Sequence, residues 1–247
     1  VAWICDLDGV VWVGDVPVPG SAEAVARLRA RGEEVVFLTN NSSLTVGAYL
    51  EKLARMGIDA GPDDVLTSAR AAAGLVDPGE VALVCAGAGV IEALEARGVR
   101  WVRTGPADVV VVGWHRDFDF DRMAVATRAV LGGARLVATN DDATYPAPDG
   151  PLPGAGAILA SIVAATGAAP VVAGKPHEPM AALVRGRLGE RLAGSILVGD
   201  RPDTDGRMAR ALGVRFGLVL SGITRQEGPP PDPAPDAVGA DLASLVG

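Results

Sequence analysis

Asp6-Leu7-Asp8-Gly9 sets two carboxylates one residue apart, with a glycine directly after them. On an extended chain such residues project to the same side, so Asp6 and Asp8 face together while Leu7 turns back toward the interior. Two carboxylates on one side repel each other unless a cation or a proton intervenes. Hard oxygen donors of this kind suit magnesium. A carboxylate can also attack phosphorus, which splits phosphate-ester hydrolysis into two easier steps. Three further clusters carry complementary groups: Thr39-Asn40, Lys175 within Gly174-Lys175-Pro176, and Asp200 with Asp205 in the run 199–205. Attack on a dianionic phosphate needs positive charge and hydrogen-bond donors. Lys175, Thr39 and a magnesium ion on Asp6, Asp8 and Asp200 would supply them. A second carboxyl near the leaving oxygen can protonate it and later activate water, a contribution of ~10²–10⁴ in rate.

These residues need elements that bring them to one place. Val1 to Cys5 is a short apolar run and reads as a buried parallel strand, delivering Asp6 and Asp8 at its carboxyl end. Val16 to Gly20 reads as a turn, and Ser21 as the cap of a helix reaching Arg31, with Gly32 ending it. Val35 to Leu38 is a second strand, with Thr39 and Asn40 directly after it. Val46, Leu50 and Leu53 then mark a helix running to about Met56. Strand, polar loop and helix have now occurred twice, the rhythm of a doubly wound sheet.

The rhythm restarts near residue 80. Strands are expected at Val81–Cys85, Val109–Val112 and Leu136–Ala138, with helices at Gly89–Ala96, Phe120–Leu131 and Gly156–Ala165. The division is therefore a core of 1–79 and 171–247, with an α/β unit of 80–170 inserted into it. Val171-Val172-Ala173 and Ser195 to Val198 read as strands of the core, each ending in a chemical cluster. The run 228–233 is proline-rich and reads as a surface linker, with a last short strand and helix after it. In open parallel sheets ligands sit outside the carboxyl ends of the strands, so the four clusters should meet at one edge.

Bulk properties narrow the partners. The chain has 247 residues, 49 % of them apolar but only 4 % aromatic, so Ala, Val and Leu must fill a sizeable core. A formal charge of −8 argues against nucleic acid or an anionic membrane as the main partner. No apolar segment approaches the ~20 residues that span a bilayer, and Asp6 interrupts the first run too early for a signal-peptide core. Cys5 and Cys85 both sit in strand-like runs and read as reduced buried thiols, which points to the cytoplasm.

With these motifs in order, the chain resembles the haloacid dehalogenase superfamily in its magnesium-dependent phosphatase branch. The run 6–11 resembles the first motif, which implies Asp6 as nucleophile and Asp8 as general acid and base. The run 38–42 resembles the second, with Thr39 and Asn40 on the phosphate. Lys175 matches the phosphate-binding and nucleophile-orienting lysine of the third. Asp200 matches the metal ligand of the fourth, with Asp205 supporting it or touching the metal. The resemblance also gives the metal the main-chain carbonyl of Asp8, leaving that side chain free for proton transfer. The insert is similar to the cap of subfamily IIA, whose members include p-nitrophenyl phosphatase-like, phosphoglycolate, glycerol-phosphate and nucleotide phosphatases. Asn140-Asp141-Asp142 followed by Pro153-Gly154-Ala155-Gly156 fits that cap. Trp114, His115, Asn140 and Asp142 are then the substrate-selecting candidates, on a lid that closes over the site. The fold implied is α/β, a doubly wound, Rossmann-like parallel core with an inserted α/β cap. The partner implied is a small phosphate ester, and relatives imply a homodimer through the cap. The chain departs from the pattern at Pro202, Glu178 and His115, where Leu, Pro and Asp are usual.

Simpler readings of the same residues fare worse. An EF-hand would need an oxygen ligand at Val10 and a glutamate at Pro17. Ala86-Gly87-Ala88-Gly89 lies between a strand and a helix, yet Glu92 occupies the third small position of a dinucleotide fingerprint. Pro176 excludes a P-loop. A dehalogenase would have no use for Asp8. A phosphotransferase and a catalytically silent metabolite-binding protein are the remaining alternatives, and phosphate release separates them from a phosphatase.

Overall fold

The computed structural model describes residues 1–145, 150–224 and 230–247. Six parallel strands form the first sheet, in the order Ala237–Gly239, Arg215–Val219, Ile196–Gly199, Ala2–Cys5, Glu34–Thr39, Val65–Thr67. Side chains along these strands alternate between two apolar layers. Ile4, Val36 and Leu197 enter one layer, while Trp3, Cys5, Phe37 and Val198 enter the other. Helices cover both faces, so each strand reads as one continuous apolar run. The chain leaves Ala2–Cys5 toward one edge and later returns on its other side at Ile196. The strand order therefore reverses beside Asp6, which makes the crevice there the place where an open sheet binds ligands.

Five parallel strands form the second sheet, in the order Val171–Val172, Arg135–Ala138, Val109–Val112, Val81–Cys85, Arg100–Val102. One of its faces packs under the helices Phe120–Leu131 and Ala155–Thr166. Its other face carries Ala82, Val84, Val109 and Val111 into the same apolar layer as Ile4 and Leu197. The two sheets thus share a core rather than touching at a thin interface.

Three expectations need correction. Val171–Val172 pairs with Val137 and Ala138, so it is an edge strand of the second sheet and not of the core. An apolar pair of residues does not specify which sheet it joins, and Val171 is half exposed at that edge. Lys175 consequently reaches the crevice from the insert's side. Ser21 is the first helical residue rather than the cap. Gly20, at φ 78°, precedes it, and the Ser21 hydroxyl donates to the Val11 carbonyl at 3.3 Å. The first helix ends at Ala30. Of the proline-rich run, 228 and 229 lie outside the described residues, and Pro230–Pro233 runs along the surface into the last strand. Burial pushes the Cys5 thiol up to about 12 and that of Cys85 up to about 11, consistent with unreactive core groups.

Candidate active site

The floor of the crevice is built from buried charge. Asp6 leaves the opening strand with its N–H on the Val198 carbonyl at 2.8 Å, and its Oδ1 accepts from the Leu7 N–H at 2.7 Å. The N–H groups of Val10, Val11 and Trp12 all converge on the Leu7 carbonyl, which closes the loop tightly. Gly9 sits in that loop at φ +88°, and a Cβ there would stand 2.5 Å from the Asp200 carboxyl group. Gly222 is held to glycine by the same carboxyl, from 1.9 Å. Asp200 is buried, and its Oδ2 accepts from the Ile223 N–H at 2.6 Å. Asp205 is fully buried. Its Oδ1 accepts from Lys175 Nζ at 2.7 Å and its Oδ2 from the Arg201 N–H at 3.1 Å.

Lys175 Nζ also lies 2.9 Å from Asp6 Oδ1 and donates to the Leu38 carbonyl at 3.3 Å. One ammonium thus serves two carboxylates, with a third beside them. Burial opposes the charge on Lys175, but Asp205 and Asp6 outweigh it and hold the group above the usual lysine range. Burial likewise raises Asp6 well above the carboxylate range, with Lys175 opposing. Asp200 is pushed up to about 7 by burial and by Asp205. An oxygen from each of Asp6, Asp200 and Asp205 lies within 4.8 Å of the others. The donor set is all oxygen and carries more negative charge than Lys175 neutralises, which suits a small divalent cation. Both oxygens of Asp205 are already engaged, so Asp6 and Asp200 are the two with capacity to hold an ion.

Asn40 explains how a lysine from the second sheet is placed over the first. Its Oδ1 accepts from the Lys175 N–H at 2.7 Å and its Nδ2 donates to the Lys175 carbonyl at 3.1 Å. The same Nδ2 donates to Asp142 Oδ2 at 3.0 Å. The Asn40 carbonyl in turn accepts from Asn140 Nδ2 and Ser68 Oγ, each at 2.6 Å. Gly174 leaves room for this clamp, since a Cβ there would stand 2.6 Å from Asn40 Oδ1. Thr39 is buried at the end of its strand, with Oγ1 accepting from the Asn41 N–H at 3.0 Å. The Ala86–Gly89 run has its own task nearby. A Cβ at Gly89 would fall 2.1 Å from the Leu44 carbonyl oxygen, so the glycine lets this helix start against the loop after Thr39. Glu92 on that helix accepts from the Val46 N–H at 2.6 Å.

The roof comes from the insert. Trp114, Asn140, Asp142, Thr144 and Tyr145 face the floor residues across a cavity of about 70 Å³. Trp114 stacks on Tyr145 with ring centroids 4.8 Å apart and donates to the Pro153 carbonyl at 2.9 Å. Asp142 is fixed through its N–H on Asn140 Oδ1 at 3.1 Å, and burial raises its carboxyl above the ordinary range. Gly154 and Gly156 pack directly on this loop, where a Cβ would come within 2.2 Å of the Asp142 carbonyl oxygen and 2.3 Å of the Asp141 one.

His115 does not reach the cavity. It is buried beside Phe118, with Nδ1 2.9 Å from the Gly113 carbonyl and Nε2 buried without a partner. The expectation that it selects substrate is corrected on that geometry: it follows Trp114 directly, and adjacent side chains on an extended stretch point to opposite sides. Asn41, Thr144, Tyr145, Arg201, Thr204 and Ile223 line the cavity without having been singled out from sequence. Arg201 and Thr204 lay within the fourth cluster and were legible there. Tyr145 sits in the two-residue strand Thr144–Tyr145, which pairs with Leu152–Pro153 and is too short to give a periodic signal.

Comparison with known proteins fits this geometry. The haloacid dehalogenase-like hydrolase profile matches residues 3–100, and a second profile of hydrolases of this kind matches 172–245. Dihydroxyacetone phosphatase of Corynebacterium glutamicum is 34 % identical over 229 residues, covering 91 % of this chain and 82 % of the relative. The p-nitrophenyl phosphatase of Archaeoglobus fulgidus superposes with a TM-score of 0.91 at 33 % identity, covering 99 % and 97 % of the two chains. A glycerol phosphate phosphatase of Mycobacterium tuberculosis in complex with magnesium gives a TM-score of 0.88 at 34 % identity, over 99 % of this chain and 75 % of that one.

Proposed function

This chain belongs to the haloacid dehalogenase-like hydrolases, among the capped phosphatases of subfamily IIA, and is a hydrolase of phosphate monoesters; we propose that it works with magnesium through an aspartyl phosphate on Asp6. The observation that carries the proposal is one ammonium held between two buried carboxylates with a third alongside. Asp6 Oδ1 is occupied by Lys175 and the Leu7 N–H, while Oδ2 has no hydrogen bond among the described residues. One oxygen of Asp6 attacks phosphorus, and the other would face the ion. The new bond to phosphorus forms as the bond to the leaving oxygen breaks, and the Asp8 carboxyl gives the leaving oxygen its proton. Burial raises Asp8 above the ordinary carboxylate range, which favours the protonated form it needs. The Asp8 carboxylate then takes a proton from water as the water attacks phosphorus, releasing phosphate and restoring Asp6.

Lys175 neutralises charge next to the nucleophile, and Thr39 with the loop N–H groups after it lies on the phosphate side. Asn40 holds Lys175 by its peptide groups, and its phosphate contact in this reading comes through the backbone. Asp6, Asp200 and the Asp8 carbonyl would hold the magnesium, with Asp205 as support. When bound, the ion supplies positive charge to the phosphoryl oxygens. The substrate in this reading is a small phosphate ester such as dihydroxyacetone phosphate or glycerol phosphate, the esters that the relatives' names give. The insert, which forms the roof, selects it.

The test is phosphate release from p-nitrophenyl phosphate, glycerol phosphate and dihydroxyacetone phosphate, with magnesium, with chelator, and with Asp6→Asn. Turnover that needs magnesium and disappears in Asp6→Asn is expected. Turnover that survives Asp6→Asn would overturn the nucleophile, and no release from folded, magnesium-loaded protein would overturn the substrate class.

A further inference from the structure

Trp12 is almost wholly buried, at 1 % exposure, yet its indole N–H points at a reacting group. Nε1 donates to Asp8 Oδ1 at 3.1 Å, the one side-chain hydrogen bond of Asp8 among the described residues. The backbone of Trp12 closes the loop that carries Asp8. Its N–H donates to the Leu7 carbonyl at 3.2 Å, and its carbonyl accepts from the Gly9 N–H at 2.6 Å. Indole and carboxyl are therefore held within one ring of bonds. Lys52 reaches over from the helix Val46–Arg55 and places Nζ 4.4 Å from the indole centroid. That ammonium is itself fixed by the Gly14 carbonyl at 2.6 Å and by Asp15 at 3.3 Å. Tyr49, one turn earlier on the helix, lies nearly parallel to the indole at 6.5 Å.

We propose that Trp12 is a positioning residue for proton transfer, its indole fixing the carboxyl of Asp8 while Lys52 holds and polarises the indole. The inference rests on the phosphatase reading above, with Asp8 as acid. An N–H can only donate, so Asp8 Oδ1 must accept, and the proton of the neutral carboxyl belongs on Oδ2. The hydrogen bond thereby chooses which oxygen hands its proton to the leaving group and fixes the rotation of the carboxyl. A cation over the ring face draws electron density from the indole and makes its N–H a stronger donor. A tryptophan serving only the core, replaced by the smaller Phe ring, would lose stability and rate alike on every ester. Trp12→Phe makes that replacement and removes the donor.

The test compares kcat/KM for two esters, because this ratio reports the step in which the leaving group departs. An alkoxide such as that of glycerol phosphate needs the proton, whereas nitrophenolate departs without one. Trp12→Phe is expected to lose about 10–100-fold on glycerol phosphate, within the range of general-acid effects, and about threefold or less on p-nitrophenyl phosphate. Lys52→Met moves in the same direction by about threefold on the alkyl ester only. An equal loss on both esters would overturn the proposal. A second readout does not depend on Trp12→Phe being folded. In ¹⁵N-labelled protein, Asp8→Ala should move the Trp12 indole resonance upfield while those of Trp3, Trp101 and Trp114 stay in place, and a stationary Trp12 signal would also overturn it. The two readings fail separately. No phosphate from either ester in the wild type overturns the reaction, whereas an active wild type with equal losses overturns the role of Trp12 alone.

Discussion

The floor and the roof of the cavity hold their side chains in place by opposite means. On the floor, Lys175, Asp200 and Asp205 are at most 2 % exposed, and each is fixed by charge-assisted bonds to groups that are themselves fixed. On the roof, Trp114, Asp142 and Tyr145 are half-buried, held by ring stacking and by bonds to backbone. Burying like charges side by side lowers stability, and it is tolerated where the reaction requires negative donors around an ion. Neutral stacking carries no such penalty, so the roof can change with little effect on the fold. In the proposed reading the floor sets what reaction occurs, and the roof which ester undergoes it. Asn40 bonds to both.

That contrast is broken most directly at Lys175. Lys175→Met leaves Asp6 and Asp205 buried without their cation, and we expect turnover to fall on the order of 10³-fold or more. Stability should fall by about 3–5 kcal/mol at pH 8, measured by denaturant unfolding. A variant with near-normal rate would mean the floor is not organised by that charge. The next effect concerns proton and metal linkage. Burial and Asp205 raise Asp200 from the ordinary carboxylate range to about 7 in the folded protein, so between about pH 4 and that value the folded state binds more protons than the unfolded one. The contribution of this group to stability without metal therefore falls as pH rises from about 4 to about 7, by ~2–4 kcal/mol. Calorimetry should find magnesium restoring Tm at pH 8 and adding little at pH 5. Asp200→Asn should flatten the pH dependence and abolish the magnesium increment. A magnesium increment that is equal at both pH values, or that survives Asp200→Asn, would separate the ion from this carboxyl.

The same contrast explains what was legible in the sequence. Floor residues sit directly after apolar runs such as Val1–Cys5 and Ile196–Gly199, so strand ends and motif spacing locate them. Asp6, Asp200, Asp205 and Lys175 were all readable in this way. The sheet that delivers Lys175 was not, because Val171–Val172 carries no mark of which neighbour it pairs with. The strands Val65–Thr67 and Arg100–Val102 are too short to show a pattern and went unread. On the roof, Asn140 and Asp142 were found by resemblance, yet Tyr145 was missed and His115 wrongly included. Nothing periodic in a loop or a two-residue strand says which way a side chain turns.

Asp142 tests whether roof and floor are coupled. Asp142→Ala removes the acceptor that anchors Asn40 Nδ2 on the insert's side, loosening the clamp on Lys175. We expect kcat to fall about tenfold, the loss of one hydrogen bond to a charged group. Asp142→Asn keeps an oxygen acceptor and should stay within about threefold. A change confined to KM, with kcat untouched, would show that Asp142 meets only the substrate.

The smallest expected effects distinguish two neighbours. Trp114→Leu removes half of the aromatic stack that roofs the cavity, while its backbone and every floor contact persist. KM for small alkyl esters should shift about three- to tenfold with kcat nearly constant, since the apolar contact and the bond to the Pro153 carbonyl are both lost on the roof alone. His115→Phe acts one residue further on, where the ring lies against Phe118 and Nε2 is buried unpaired. Ester preference should not move, and stability should stay within about 1 kcal/mol, because losing the unsatisfied Nε2 offsets losing the Nδ1 bond to the Gly113 carbonyl. Preference is the decisive measurement, because a change in overall rate could follow from any loosening of the insert. If His115→Phe altered the ratio of kcat/KM between glycerol phosphate and p-nitrophenyl phosphate more than Trp114→Leu did, the roof would have to extend past Trp114. The direction in which adjacent side chains point would then have ceased to decide which of them meets the ester.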